Sequence, residues 1–394
     1  GRVQLAADVH TTVPGIRATI GGAFGEYAFD GQLSSDSLDT LQDFALDLRS
    51  SGPSLGDLLT LAGLPGLPDA AYAIEARARQ TARGLEFTRL RLDSAPLSLE
   101  GSGRAGNLPA LRDLDLALTA AGPDVAAIAP WLDLPPDAPL AFALQATVAG
   151  QGPGVDDRVD AQLRLASATA TLTGSLSERD DLSGSRLRFG VDAPDAGPLA
   201  ALFGLPALPR TRLQLGGVAA LDAQQIRLDE LQAMLGDAGF NGTARIDRGS
   251  RPAGGRFQGE VRGPDLAATL GPLLPEAGRR RLPRRPFSAT ASLRLDDGAL
   301  DIASAQARVG GSEATLVGRM GLRPPDIALD GRMALRGDSL ESLLVGAVPG
   351  ALPAVPFQLD CRLRWAPGAV HFEGFDLVMI HLALAGSVGL TGED

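Results

Sequence analysis

The sequence predicts a mainly β protein with short helices: an elongated repeat architecture of units about 70 residues long, each with roughly four antiparallel strands and one short amphipathic helix, forming a long curved sheet or groove. Three observations predict it. A Gly-Pro-acid turn recurs at near-constant spacing. A glycine in a later alternating segment keeps the same period. The stretches between them alternate apolar with polar residues. The 394 residues include 49 Gly and 28 Pro, which suits many short strands joined by turns.

The turn stands at Gly52-Pro53-Ser54, Gly122-Pro123-Asp124, Ala193-Pro194-Asp195, Gly263-Pro264-Asp265 and Gly337-Asp338-Ser339, at successive spacings of 70, 71, 70 and 74. A glycine ending an alternating strand stands at Gly31, Gly101, Gly174, Gly242, Gly318 and Gly386, at spacings of 70, 73, 68, 76 and 68. Two separate markers with one period define a repeat. Residues 1–51 then form the end of a preceding copy, followed by units at 52–121, 122–192, 193–262, 263–336 and an incomplete 337–394.

Each turn introduces a short helix of about two turns. Proline is expected at the first helical position, where its missing amide costs nothing, with the acid beside it complementing the helix dipole. Apolar residues then recur at helical spacing: Leu55, Leu58, Leu59; Val125, Ile128, Ala129; Leu199, Leu202, Phe203; Leu266, Thr269, Leu270; Leu340, Leu343, Leu344. The pairs Leu64-Pro65, Leu134-Pro135, Leu205-Pro206, Leu274-Pro275 and Leu352-Pro353 stop these helices.

A strand follows each helix. Tyr72, Ile74, Ala76 and Ala78 alternate in the first unit, and Leu140, Phe142, Leu144, Ala146 and Val148 in the second. Leu213 and Leu215 begin the third; Phe287, Ala289, Ala291, Leu293 and Leu295 mark the fourth; Phe357, Leu359, Cys361, Leu363 and Trp365 mark the fifth. Period-two alternation gives every strand one apolar and one polar face. Three more strands complete a unit, as at Val159–Leu165, Thr169–Leu176 and Leu187–Val191. Some twenty strands at about 4.8 Å make a sheet roughly 100 Å long. A greasy face of that length must curl, pair or hold something apolar.

Composition removes several function classes. A net charge of −11 argues against a general nucleic-acid binder. All 36 basic residues are arginine, so no lysine is present for a phosphate loop or a Schiff base. Cys361 is the only cysteine, which rules out an intrachain disulfide and a cysteine metal site and suits cytosol or periplasm equally. There is no signal peptide and no unbroken apolar stretch of spanning length; Leu343–Phe357 is interrupted by Pro349, Pro353 and Pro356. The chain starts without Met and stops just past a strand pattern, so it is read as a piece of a longer protein whose anchor lies elsewhere.

No catalytic constellation emerges, and the chain is read as non-enzymatic, with no cofactor and no metal. Gly101-Ser102-Gly103-Arg104-Ala105-Gly106 spells a dinucleotide fingerprint, but it lies between strand-like segments and not at a helix start, so it is expected to be a strand turn. His10, His371 and His381 are dispersed, although the last two sit where a hairpin would let them face each other. Asp156-Asp157, Asp180-Asp181 and Asp296-Asp297 are expected in solvated turns. Asn241-Gly242-Thr243 matches a glycosylation sequon but coincides with the repeating glycine.

The succession Gly-Pro-Asp-(Val/Leu)-Ala-Ala, Leu-Pro, Pro-Phe-(Ser/Gln), alternating strands and a glycine-ended strand resembles the AsmA-like family of bacterial cell-envelope proteins. Gly263–Ala268, Pro286-Phe287-Ser288 and Pro356-Phe357-Gln358 carry the likeness most plainly, and it covers nearly the whole chain. The resemblance implies a periplasmic protein anchored in the inner membrane, related to bridge-like lipid-transfer proteins. Phospholipids would be its partners along an apolar β groove running between inner and outer membranes, which it would reach through segments outside this chain; no nucleic acid is involved.

The lining candidates on that reading are Phe142, Leu144, Leu163, Leu165, Leu213, Leu215, Phe287, Leu293, Leu295, Phe357, Leu359 and Leu363. Arg279, Arg280, Arg281, Arg284 and Arg285 form the one concentrated basic patch, a candidate headgroup contact and otherwise a solvated loop. The same alternation also fits a filled two-sheet sandwich or a closed β-solenoid, and by pattern alone a dry core is the commoner outcome. The resemblance favours the groove. The rival readings are a non-catalytic envelope scaffold, a secreted β-solenoid with a dry core, and an outer-membrane-protein assembly factor offering strand edges.

Overall fold

The computed structural model describes residues 3–12, 15–36, 44–61, 69–81, 84–107, 112–127, 140–150, 155–177, 181–202, 210–248, 254–271, 282–296, 298–322, 328–339, 355–366, 369–379 and 382–391. The chain divides into two compact units, Gly1–Leu205 and Pro206–Asp394.

The first unit holds β1 (Val3–Thr12), β2 (Gly15–Phe24), β3 (Tyr27–Ser35), β4 (Phe44–Gly52), β5 (Tyr72–Thr81), β6 (Gly84–Ser94), β7 (Ser98–Asn107), β8 (Arg112–Gly122), β9 (Phe142–Ala149), β10 (Asp157–Leu165), β11 (Ala168–Leu176) and β12 (Arg186–Ala193). Each pairs antiparallel with the next in sequence. The second unit holds β13 (Leu213–Leu221), β14 (Gln225–Leu235), β15 (Ala238–Asp247), β16 (Gly255–Gly263), β17 (Phe287–Asp296), β18 (Ala299–Val309), β19 (Ser312–Gly321), β20 (Leu329–Gly337), β21 (Phe357–Ala366), β22 (Ala369–Met379) and β23 (Leu382–Thr391). They pair in the same serial way. Among the described residues of each unit, the strands pair with their neighbours in sequence as one antiparallel open sheet. That serial antiparallel pairing departs from the two-sheet sandwich and the closed solenoid.

Tight hairpins fix the register. Gly25, Gly236 and Gly310 open two-residue connections with φ of 61°, 58° and 58°, a region glycine enters freely. Ala166 occupies the equivalent place between β10 and β11 at φ 51°, where its Cβ makes the conformation costly.

Helical segments follow β4, β8, β12 and β16: α1 (Leu55–Leu61), a 3-10 turn at Val125–Ala127, α2 (Gly197–Leu202) and α3 (Leu266–Leu270). Most are shorter than two turns. The expected fifth segment from Leu340 and all five Leu-Pro stops lie outside the described residues. The helix starts also differ from expectation, because the acid caps the helix and proline stands outside it. Ser54 Oγ accepts from the Asp57 amide at 3.0 Å, and Asp265 Oδ1 accepts from the Ala268 amide at 3.0 Å. Asp124 and Asp195 accept from amides two residues on, at 2.8 and 2.9 Å. Each bond satisfies a first-turn donor that has no intrahelical partner.

The turn glycine has a packing reason. Gly52, Gly122, Gly263 and Gly337 stand directly across from Tyr72, Phe142, Phe287 and Phe357. A Cβ there would meet the opposing ring at 2.9, 2.5, 2.5 and 2.9 Å. The aromatic that opens each following strand therefore lies flat over the glycine that closes the strand before it.

The second repeating glycine does not end a strand. Gly31, Gly101, Gly174, Gly242, Gly318 and Gly386 all lie inside β3, β7, β11, β15, β19 and β23. In four of these places the preceding strand, β6, β14, β18 or β22, carries a bulge beside the glycine. Bulges bend and twist a sheet locally, and the glycine opposite gives the backbone room to close up. A Cβ at Gly318 would come within 2.4 Å of the Asp330 carbonyl oxygen.

Candidate functional site

Strand registers place one apolar row after another across each unit. In the first unit one row runs Ile20, Gly31, Leu48, Ala76, Leu90, Gly101, then Leu118, Ala146, Ala161, Leu172 and Phe189, partner to partner from β2 to β12. In the second unit a row runs Ala219, Leu228, Ala244, Phe257, Leu293, Ile302, then Gly318, Gly331, Leu363, Phe372 and Val388, crossing all eleven strands from β13 to β23. Neither row contains a polar side chain.

All twelve lining candidates lie on these faces. Phe142 pairs with Leu165 and Leu144 with Leu163 between β9 and β10. Leu213 and Leu215 are on β13, Phe287, Leu293 and Leu295 on β17, and Phe357, Leu359 and Leu363 on β21. The three phenylalanines are buried, whereas the nine leucines are only half-buried. For Phe142 the burial follows from the helical segments. Leu55 and Val125, from the segments after β4 and β8, pack with Tyr72, Leu97 and Phe142 into a buried cluster at one margin of the face. Beyond that margin the apolar side chains rest against each other and stay open to solvent. Exposed Leu5 and Val9 on β1, and Leu382, Leu384 and Val388 on β23, extend the open face to the terminal strands of each unit.

The opposite face is charged and satisfies itself. Arg77 meets Asp47 at 2.7 Å and Arg362 meets Asp330 at 2.7 Å, while Glu313 bridges Arg308 and Arg336 across three strands. The guanidinium hydrogen bonds hold Asp330 and Glu313 below the usual carboxylate range. A depression of about 1330 Å³ on this side, over β18 to β22, is walled partly by these same paired groups, including Asp330 and Arg362. Such exposed pairs add little stability individually, but they keep this face wet.

A half-open apolar pocket of about 730 Å³ lies on the apolar side between α1 and strands β2 to β5. Phe24, Tyr27, Phe29, Leu48, Leu58, Tyr72 and Ile74 give it its walls, with Ser50, Asp57 and Thr60 as polar members. Tyr27 donates its hydroxyl hydrogen to Asp57 Oδ2 at 2.8 Å, which holds the Tyr27 phenol above its ordinary value. Ser50 Oγ lies 3.1 Å from the Tyr72 hydroxyl. Sequence reasoning did not single out this pocket, because register brings together residues up to fifty positions apart. The available signal was that both of the chain's two tyrosines belong to it.

Several other expectations change. The Gly101–Gly106 fingerprint lies inside β7, not in a turn: Gly101 and Gly103 occupy the apolar face beside the β6 bulge, and the next described element is strand β8, not a helix that could receive a phosphate. His371 faces Gly389 across β22 and β23, so it does not oppose His381, which lies outside the described residues. Asp157 opens β10 and is buried; it accepts from the Leu114 amide at 3.4 Å and is not a solvated turn residue. Asn241-Gly242-Thr243 sits in the middle of β15, with Asn241 and Gly242 paired on both sides and Thr243 paired with Gln258 of β16. Arg284 and Arg285 are exposed ahead of β17, and Arg279, Arg280 and Arg281 lie outside the described residues. No helix among the described residues is long and apolar enough to cross a membrane, and no cluster among them is arranged to hold a metal.

Comparison with protein-family models, curated proteins and solved structures finds no match.

Proposed function

We propose that this chain is the periplasmic part of an AsmA-like envelope protein that binds phospholipids along its apolar β face and conducts them between the inner and outer membranes. It acts as a passive, non-catalytic conduit, anchored to the inner membrane through sequence outside this chain. One observation carries the reading: unbroken apolar rows cross eleven consecutive strands while their leucines stay half-buried.

Physical chemistry supports it in two ways. An apolar face of this extent left to water is unfavourable by about 25 cal/mol per Å², so it calls for an apolar occupant. A lining of Leu, Ala, Val, Phe and Gly is undirected, which lets an acyl chain slide without breaking hydrogen bonds. In this reading the unit of about 70 residues, four strands and a helix, is the element that lengthens the groove. Its helix closes one margin and its bulge with the paired glycine curves the sheet around the lipid.

The test is to express the chain into the periplasm of a diderm bacterium, purify it in mild detergent and extract bound lipid for mass spectrometry. Several phospholipids per chain are expected. A well-folded, lipid-free chain would overturn the proposal and leave the scaffold reading in its place.

A further inference from the structure

The pocket beneath α1 differs in kind from the rest of the apolar face. Elsewhere the face is mainly aliphatic, with phenylalanines but no tyrosine, and aromatics make up only 4% of the chain. Here four aromatic residues, Phe24, Tyr27, Phe29 and Tyr72, stand around one space together with the Asp57 carboxylate. The crossing row Gly22, Phe29, Ser50, Ile74, Leu92 and Leu99 is broken by one polar residue, Ser50, which lies in this pocket. The Gly52 position lets both rings approach: a Cβ there would strike Tyr27 Cδ1 at 2.3 Å and Tyr72 Cε1 at 2.9 Å. No arginine is among the described residues that line it, although arginines number 36 in the chain.

Each feature selects for charge. A carboxylate with no guanidinium beside it repels an anionic head and attracts a cation. Aromatic faces carry negative quadrupole potential, and rings grouped around a carboxylate form the usual receptor for ammonium and quaternary ammonium ions. The Tyr27 hydroxyl orients the carboxylate by donating to Oδ2, leaving Oδ1 for a ligand donor. Leu48, Leu58 and Ile74 offer an aliphatic wall for a hydrocarbon chain, and about 730 Å³ is a normal volume for one small ligand.

We infer that this pocket is a discrete binding site for a single-chain amphiphile, or one chain of a lipid, whose head carries an ammonium group, with Asp57 and the four aromatic rings reading the cation. The inference rests on the reading that the apolar face holds acyl chains, and it adds a headgroup preference that hydrocarbon contacts alone cannot supply.

The full chain is offered an equimolar mixture of lysophosphatidylethanolamine and lysophosphatidylglycerol of matched acyl length, and the bound ratio is read by native mass spectrometry. The ammonium lipid should be favoured about fivefold, the scale of one partly exposed ion pair. Asp57→Asn keeps an acceptor for Tyr27 and should bring the ratio to about one. Thr60→Arg places a guanidinium at an exposed position of the pocket wall and should reverse the preference, which keeps the test decisive if the first variant folds poorly. A wild-type ratio near one, or a preference unchanged in both variants, would overturn the inference while leaving the groove intact. Absence of either lipid from the wild-type chain would remove the groove and this site together.

Discussion

Leu293→Asp isolates what an acyl chain on the apolar face would feel. Leu293 is half-buried in the middle of β17, between Phe257 and Ile302, in the row that crosses all eleven strands of its unit. With the face empty, the new carboxylate stays hydrated, so the fold loses only part of a leucine's burial, about 1 kcal/mol. A hydrocarbon chain lying across it removes that water. The carboxylate then takes up a proton, which from an ordinary pKa of about 3.9 costs about 4 kcal/mol at pH 7. Occupancy at this point should fall about a thousandfold at neutral pH and only about tenfold at pH 5, where protonation costs about 1.5 kcal/mol. Leu293→Asn should show a small loss with no pH dependence. Thr290→Asp, on the exposed opposite face of the same strand, should change nothing. The assay is lipid bound per chain, and transfer between donor and acceptor vesicles, at both pH values. Full loading and transfer by Leu293→Asp at pH 7 would refute the reasoning.

Further predictions follow from the fold. Gly318→Ala should cost several kcal/mol in chemical denaturation, because its Cβ meets the Asp330 carbonyl and the Gly331 backbone at 2.4 and 2.5 Å. Gly31→Ala should be tolerated, since its Cβ meets nothing closer than the Leu48 side chain at 3.5 Å; equal losses at the two sites would contradict the bulge account. Gly263→Ala should destabilise by about 1–3 kcal/mol in the native chain and much less beside Phe287→Ala, so a double-mutant cycle should show strong coupling. Ala166→Gly should stabilise by about 0.5–1 kcal/mol by relieving the positive φ, read as a raised denaturant midpoint. Melting temperature should fall on acidification. Asp330 and Glu313 have depressed folded-state pKa values, from Arg362 and from Arg336 with Arg308, so their contributions are present above the ordinary carboxylate range and lost as pH drops through and below it. Glu313→Gln should flatten that dependence slightly, as both groups are exposed.

The local chemistry of the strands was legible because alternation and turn residues act over a few positions. Phe142, Leu144, Leu163 and Leu165 could be placed on one face from period two alone, and the register agrees. The Gly-Pro-acid turn was legible as a recurrence but not in its workings. Whether Asp265 caps a helix or enters it depends on one side-chain rotamer, and why Gly263 is glycine depends on Phe287, which only pairing brings over it. Gly101 and Gly318 looked like strand ends, because alternation lapses there. The lapse comes from a bulge on the neighbouring strand, information that lies some fifteen residues away in each case. The pocket was least legible. Tyr27, Asp57 and Tyr72 come from three elements, and only the scarcity of tyrosine hints that they belong together.

Site-specific photocrosslinking in the periplasm of a diderm bacterium tests the central claim most directly. A photoreactive residue is placed in turn at Leu144, Leu163, Leu293 and Leu359 on the apolar face, and at the exposed Gln145, Thr290 and Gln358 on the other. The account predicts phospholipid adducts at all four apolar positions and none at the three polar ones. Adducts on both faces alike, or protein adducts in place of lipid along the apolar rows, would contradict it.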